Sequence, residues 1–309
     1  MPSAFATDLS DNALIAVAGD DARAFLQGQF TSDVEALAVG EAQWGGWCTP
    51  KGRLVATFLL VRRADGFLLM LPAEIAAAFA KRLGMFVLRS KVKIVDASGD
   101  FGRIGIAGDG AASLVRNRWG GVPAPMKAIE KDGATCIAID ESRFVAYVPA
   151  ASAGATVDAL AAGSSRGTRD QWAWAMIQAG VPVVVAATQE AFVPQMANFD
   201  LVGGVSFKKG CYPGQEIVAR TQYRGILKRR MALAHVAGGE RPQPGQAVYS
   251  KEFGEQAAGT IVNAAPSPGG GFDALVIAQI ESLRGELHWK SPDGPAMEVR
   301  KVPSAANAS

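Results

Sequence analysis

The sequence predicts an α+β protein: two ferredoxin-like α/β units followed by a small C-terminal β-barrel. Three observations predict it. A β-α-β-β-α order occurs twice between Leu14 and Ala162, the pattern of a duplicated split unit. From Lys228 onward only short apolar runs remain, spaced by Pro/Gly turns, as in a small closed β domain. The length of 309 residues suits two or three packed units rather than one. The expected boundaries are residues 1–100, 101–227 and 228–302, with 303–309 as a loose tail.

In the first unit, Leu14–Ala18 reads as a strand. Gly19 and Asp20 then open a helix with Asp20 as N-cap and Ala22, Phe25, Leu26 and Phe30 as its apolar side. Strands Gln43–Cys48, Leu54–Arg62 and Phe67–Leu71 follow, divided by the turns Thr49-Pro50-Lys51-Gly52 and Ala64-Asp65-Gly66. Pro72 starts a helix that runs to Leu83, and Lys91–Asp96 is a strand. In the second unit come strand Arg103–Ala107, helix Ala111–Arg118, a hairpin of Ala134–Asp140 and Arg143–Val148, and helix Ala155–Ala162. Helix Thr168–Ala179 carries Trp172, Trp174, Met176 and Ile177, and stops at Gly180 ahead of Pro182. Residues Phe192–Phe207 read as irregular. The C-terminal strands are Arg230–Val236, Ala247–Tyr249, Gly259–Asn263, Leu275–Ile280 and Glu286–Trp289, with turns at Pro242–Gly245 and Pro266–Gly271.

Hydrophobic residues at 49% and charged ones at 19% give a globular balance and argue against disorder. No Lys or Arg precedes Arg23, whereas Asp8, Asp11, Asp20 and Asp21 crowd the start, unlike a secretory or mitochondrial leader. The longest apolar runs fall far short of a membrane span. A cytoplasmic protein without membrane association is the expectation. Cys48, Cys136 and Cys211 are odd in number and far apart, which excludes a disulfide framework. They form no CxxC pair, and His235 and His288 flank no ligand at metal spacing, so no permanently bound metal is expected.

The chemistry concentrates in Lys208–Arg230. Pro213 biases Tyr212 to an extended conformation, and Pro213-Gly214 makes a tight turn. A helix can begin at Gln215 with Glu216 in its first turn, where a negative charge suits the dipole. Cys211 therefore stands near a helix N-terminus and beside Lys208 and Lys209, a setting that favours thiolate. Seven basic residues (Lys208, Lys209, Arg220, Arg224, Lys228, Arg229, Arg230) face one acid, Glu216. The segment thus carries +6 in a chain of net charge +2, leaving −4 for the remainder. With Glu216 and Arg220 spaced to pair on a helix face, six cations remain for a multiply anionic ligand. Cys48 and Cys136 lie in apolar strands and read as small core residues. A basic run is also compatible with a plain solvated surface.

Residues Lys209–Glu216, KGCYPGQE, resemble the signature of the YgfZ family of folate-binding proteins, relatives of the glycine-cleavage T-protein. GDDARAFLQGQFTSDV (Gly19–Val34), TPKGRL (Thr49–Leu54), IQAGVP (Ile177–Pro182) and FVPQMANFD (Phe192–Asp200) resemble other parts of that family. The resemblance implies a T-protein-like, ring-like arrangement around a central folate pocket. It implies tetrahydrofolate or a one-carbon derivative as cofactor, and a role in assembling or repairing iron–sulfur enzymes, including tRNA-modifying ones, through transient contacts with client or assembly proteins. It also implies Cys211 as the reactive, catalytic thiol. On the same grounds Gln178, Trp174, Lys209, Tyr212, Gln215, Glu216 and Arg220 are candidate folate-binding residues. Gln178 stands where the T-protein has a pterin-gripping glutamate, and Lys209 and Arg220 would hold the anionic glutamate tail. For the tryptophans of the 168–179 helix, core packing competes with ring stacking.

The T-protein's acidic residue has no counterpart on the strand after the glycine turn, which reads Gly52–Thr57 without a carboxylate. Proton handling at folate nitrogen needs a positioned acid or base. An aminomethyltransferase of the glycine-cleavage type is therefore the alternative rather than the leading expectation, and the chain is not expected to be a conventional enzyme. A third reading is an RNA-binding module; the near-neutral total charge and the scarcity of aromatics among the cations, Tyr212 and Tyr223 apart, weigh against it.

Overall fold

The computed structural model describes residues 3–302 except 224 and 226. Arg224 and the expected tail Pro303–Ser309 lie outside the described residues. The first part of the chain forms β1 (Phe5–Asp8), β2 (Asn12–Ala18), α1 (Ala22–Gln27), β3 (Ala42–Cys48), β4 (Leu54–Arg63), β5 (Gly66–Pro72), α2 (Ala73–Gly84) and β6 (Lys93–Asp96). Next come β7 (Phe101–Ala107), α3 (Ala111–Trp119), β8 (Ala128–Lys131), β9 (Ala134–Ala138), β10 (Arg143–Pro149), α4 (Ala153–Ala162), β11 (Ser165–Arg166) and α5 (Arg169–Gln178). The remainder is α6 (Gln215–Tyr223), β12 (Arg229–Val236), β13 (Ala247–Ser250), β14 (Gly259–Pro266), β15 (Phe272–Gln279), β16 (Leu287–Trp289) and β17 (Ala296–Lys301).

Three sheets result: a five-stranded one ordered β3-β4-β5-β2-β6, a six-stranded one ordered β11-β1-β7-β10-β9-β8, and a closed barrel ordered β12-β15-β14-β13-β16-β17. The fold is mixed α/β with a C-terminal barrel, as the element order predicted. Several strands escape sequence reading. β1 pairs antiparallel with β7, Phe5 opposite Ala107 and Asp8 opposite Ile104, so the N-terminal strand adds to the second sheet. β8 (AIEK) lies at a sheet edge and β17 (AMEVRK) closes the barrel. Both carry charges on partly exposed faces, which hides the apolar period that marks a strand.

By packing, the chain forms two compact units, each drawn from alternating stretches of the sequence. One comprises Met1–Gln29, Asp33–Gly45 and Phe58–Ala175; the other comprises Phe30–Ser32, Gly46–Thr57 and Met176–Ser309. In the first, Ile104, Ile106, Phe144 and Val148 of the six-stranded sheet pack against Leu114, Val115 and Trp119 of α3 and Val157 and Leu160 of α4. On the other face Trp172 lies on the backbone of β7, so close that a Cβ on Gly105 would come within 2.6 Å of its ring. In the second unit, alternate residues of the barrel strands point inward: Ala232, Ala234 and Val236 of β12, and Ala274, Val276 and Ala278 of β15. These small side chains leave room for Trp289, 1% exposed, whose Nε1 donates to Gln246 Oε1 at 2.9 Å. No described helix is long and apolar enough to cross a membrane.

Candidate functional site

The second unit gathers KGCYPGQE, TPKGRL, IQAGVP and FVPQMANFD, together with Phe30–Ser32 of GDDARAFLQGQFTSDV. Its centre is the turn Lys208–Gly214 that leads into α6. Gly214 has φ +82, and a Cβ there would lie 2.4 Å from Thr49 O and 2.7 Å from Gly52 Cα. The Pro213-Gly214 turn thus seats directly on the Thr49–Gly52 hairpin turn, backbone against backbone, and only glycine fits. Gln215 N donates to Tyr212 O at 3.1 Å and Val218 N to Gly214 O at 3.2 Å, so the turn runs without a break into the helix.

Lys209 fastens the other end of the turn. Its side chain is buried, and Nζ donates to Phe30 O at 2.6 Å and Ser32 O at 2.9 Å while lying 5.2 Å from the Tyr212 ring centroid. Carbonyl dipoles and a π-face stabilise the buried ammonium. The sequence placed Lys209 at a ligand's anionic tail; in the structure its charge is turned into the protein, against oxygens nearly 180 residues away. Thr31 completes this junction: its hydroxyl donates to Gly204 O at 2.5 Å and accepts from Gly46 N at 3.0 Å.

This scaffolding leaves Cys211 exposed, whereas Cys48 and Cys136 are buried. Burial pushes both of those thiols up to about 12. Tyr212 is buried beneath the turn, and loss of water, with a smaller contribution from the Cys48 thiol, raises its hydroxyl well above the usual phenol range. Gln215 caps the turn weakly through Nε2 to Gly210 O at 3.4 Å. Glu216 and Arg220 are exposed and form no ion pair with each other, contrary to the expected helix-face pairing. Arg230, counted as an unpartnered cation from sequence, makes a two-pronged pair with Asp200 at 2.7 and 2.9 Å and also donates to Gln195 O at 2.9 Å. Of the segment's cations, Lys208, Arg220 and Lys228 remain exposed. Trp174 falls in the first unit, half-buried on α5.

The FVPQMANFD stretch is the frame behind the turn. Phe192 O accepts from Leu54 N at 2.8 Å, Gln195 Nε2 donates to Val218 O at 2.7 Å, and Asn198 Nδ2 donates to Met231 O at 2.7 Å. An irregular segment is thus tied to β4, α6 and β12 through its own polar side chains.

Gln178 occupies a different part of the same unit. It lines a cavity of about 290 Å³ with Ile177, Leu201, Met231, Leu233 and Leu275, and with Asn198 and Lys301 at its polar margin. No residue of the cysteine turn is in that lining. Gln178 Nε2 donates to Asp273 Oδ2 at 3.0 Å. Asp273, 1% exposed, also lies 2.7 Å from His235 Nδ1 and accepts from Arg300 Nη1 at 3.1 Å. Sequence reading passed over this group because its members lie up to 122 residues apart. The one signal was an aspartate inside the apolar run of β15, since a buried carboxylate demands partners. Among the described residues no cluster of His, Cys, Asp and Glu is spaced to hold a metal ion.

The GCVT N-terminal domain family matches residues 2–123. The structure superposes on the crystal structure of the glycine cleavage system aminomethyltransferase T from Bartonella henselae with a TM-score of 0.77 at 17% identity, over 97% of this chain and 86% of that one. Among curated proteins, the tRNA-modifying protein YgfZ of Enterobacter sp. (strain 638) is 34% identical over 302 residues, and that of Shigella boydii serotype 4 (strain Sb227) 32% over 300. Each alignment covers 96% of this chain and 91% of the relative. The chain therefore has the T-protein fold, with its C-terminal barrel. Within that class it belongs to the YgfZ family.

Proposed function

We propose that this chain is a tetrahydrofolate-binding accessory protein that supports the assembly or repair of iron–sulfur enzymes, tRNA-modifying ones among them, with Cys211 as its reactive thiol. One observation carries the reading. Of three cysteines only Cys211 is exposed, and it is held up by a turn whose two ends are locked by Gly214 and Lys209. A buried structural cysteine needs no such scaffold; a thiol that must meet a partner does. The name of the relatives supports the connection to tRNA modification.

The Gln178 cavity fits the flat end of a folate. Its walls are mostly apolar, its volume of about 290 Å³ suits a bicyclic ring rather than the whole molecule, and one amide is available to the ring's polar edge. Lys301 lines the cavity and is suited to the anionic tail in place of Lys209, while Lys208, Arg220 and Lys228 are exposed outside that lining. Bound tetrahydrofolate would supply a ring nitrogen able to carry a one-carbon unit. The transferase alternative is less well supported. Thr57, on the strand without a carboxylate, uses its hydroxyl to join Pro182 O and Val184 N, both at 3.0 Å, and has no acid–base chemistry to offer. The RNA-binding reading loses Tyr212 as a stacking surface because that ring is buried.

The test is complementation of a strain lacking this protein, reading the activity of an iron–sulfur tRNA-modifying enzyme through the modified nucleoside. Cys211→Ser should abolish support while folding normally. Full support by that variant would remove Cys211 from the function. Calorimetric titration with tetrahydrofolate tests the cofactor separately.

A further inference from the structure

The polarity of the Gln178 cavity is set from outside it. Gln178 closes α5, and its Nε2 donates at 3.0 Å to Asp273, which is not part of the cavity lining. Asp273 on β15 meets His235 on the adjacent strand β12 and Arg300 on β17, the strand on the far side of β12. The Asp273 carboxylate accepts from the Arg300 guanidinium, and a carboxylate can only accept hydrogen bonds. The nitrogen of the Gln178 amide must therefore face Asp273. The amide is planar, so fixing the nitrogen fixes the oxygen. Among the described residues that oxygen has no hydrogen-bond partner, and Gln178 is only half-buried. Asp273 takes one of the two N–H donors of the nitrogen, so the group of Gln178 left wholly unused, and available to the cavity it lines, is its acceptor oxygen.

We infer that Asp273, held by His235 and Arg300, is a positioning residue that turns Gln178 so that the cavity selects a ligand edge carrying N–H donors. An amide left free would accept either kind of edge by turning over; one tied to a carboxylate discriminates. The amino and lactam N–H groups of a pterin form such an edge. Naming a pterin rests on the folate reading above, whereas the donor preference rests on the hydrogen bonds alone.

The closing experiment has two arms. In the first, tetrahydrofolate and its 2-desamino-2-methyl analogue are titrated calorimetrically into the wild type, Asp273→Asn, and the Gln178→Glu, Asp273→Asn double variant, with thermal melts confirming that each is folded. The wild type should favour the donor-bearing ligand by about tenfold, the effect of one hydrogen bond. In Asp273→Asn the preference should be lost or reversed, because Arg300 can only donate, so it holds the asparagine's oxygen and turns its NH2 toward Gln178, whose own oxygen must then face residue 273. The double variant should recover it, since a carboxylate at 178 can accept from the asparagine on one oxygen and from the ligand on the other. Equal preference in the wild type and Asp273→Asn would overturn the inference while leaving folate binding intact. The second arm needs no ligand: the Gln178 side-chain amide resonance, assigned with Gln178→Leu, should be shifted and slow to exchange in the wild type, and should lose that shift and protection in Asp273→Asn, where the amide nitrogen no longer faces residue 273. If tetrahydrofolate binds to no variant, the folate reading fails, and the inference stands or falls on this arm, an unchanged resonance in Asp273→Asn overturning it.

Discussion

Gly214 and Lys209 show how single residues make the cysteine turn. Gly214→Ala forces a Cβ to 2.4 Å from Thr49 O at a φ of +82, so it must either push the Thr49–Gly52 turn away or distort its own. It should cost about 1–3 kcal/mol and lower the melting temperature, while the same change at Gly210, where nothing lies within 4 Å of the new Cβ, should be far milder. A melt that ranks them in the other order would refute the seating of one turn on the other. Lys209→Met keeps the side chain's length but removes the donor from Phe30 O and Ser32 O, at ~1–3 kcal/mol for buried acceptors left unmade. Loss of folate affinity in a Lys209 variant is therefore to be read only beside its stability. Cysteine reactivity belongs to the same scale. A thiol-specific reagent at pH 8 should find one fast thiol per chain, removed by Cys211→Ser, and three after denaturation, because Cys48 and Cys136 are buried and protonated.

At the scale of elements, the irregular stretch 192–200 acts as a strut. Its residues gain regularity from side-chain bonds rather than from a ladder: Gln195 holds the backbone of α6, Asn198 holds that of β12, and Asp200 pairs with Arg230. The Asp200 side chain is 4% exposed, so removing one partner strands a charge in a poorly hydrated place. Asp200→Leu should destabilise by about 3 kcal/mol, and Arg230→Met with Asp200→Leu should lose less than those two single changes together. Denaturant titration of the four proteins would check this, and strict additivity would show that the pair is not coupled.

For the whole molecule, the buried thiols make stability depend on alkaline pH. Cys48 and Cys136 ionise near their ordinary value of 9.0 when the chain is unfolded and only near 12 when folded. The folded state thus holds those protons more tightly. Their contribution is complete below pH 9 and is progressively lost as pH rises toward 12. The melting temperature should fall between pH 8.5 and 10.5, and Cys48→Ala, Cys136→Ala should flatten that slope even if it lowers the baseline. Each unit contains one of the two residues, Cys136 in the first and Cys48 in the second, so the loss should appear in both.

Much of this protein is determined by the sequence alone. Helix and strand types follow from apolar period and turn residues, both local quantities. The KGCYPGQE turn is legible because proline and glycine constrain the backbone where they stand, and its resemblance to the YgfZ family follows from those same residues. Tertiary structure decided the rest. It put β1 into the second sheet, drew Lys209 into a carbonyl cage from Phe30 and Ser32, and gave Arg230 its aspartate. It also joined Gln178, His235 and Arg300 to Asp273. A side chain's charge and donors are written in its own letter, but whether they face water, a carbonyl or a ligand depends on partners that only packing brings within 3 Å.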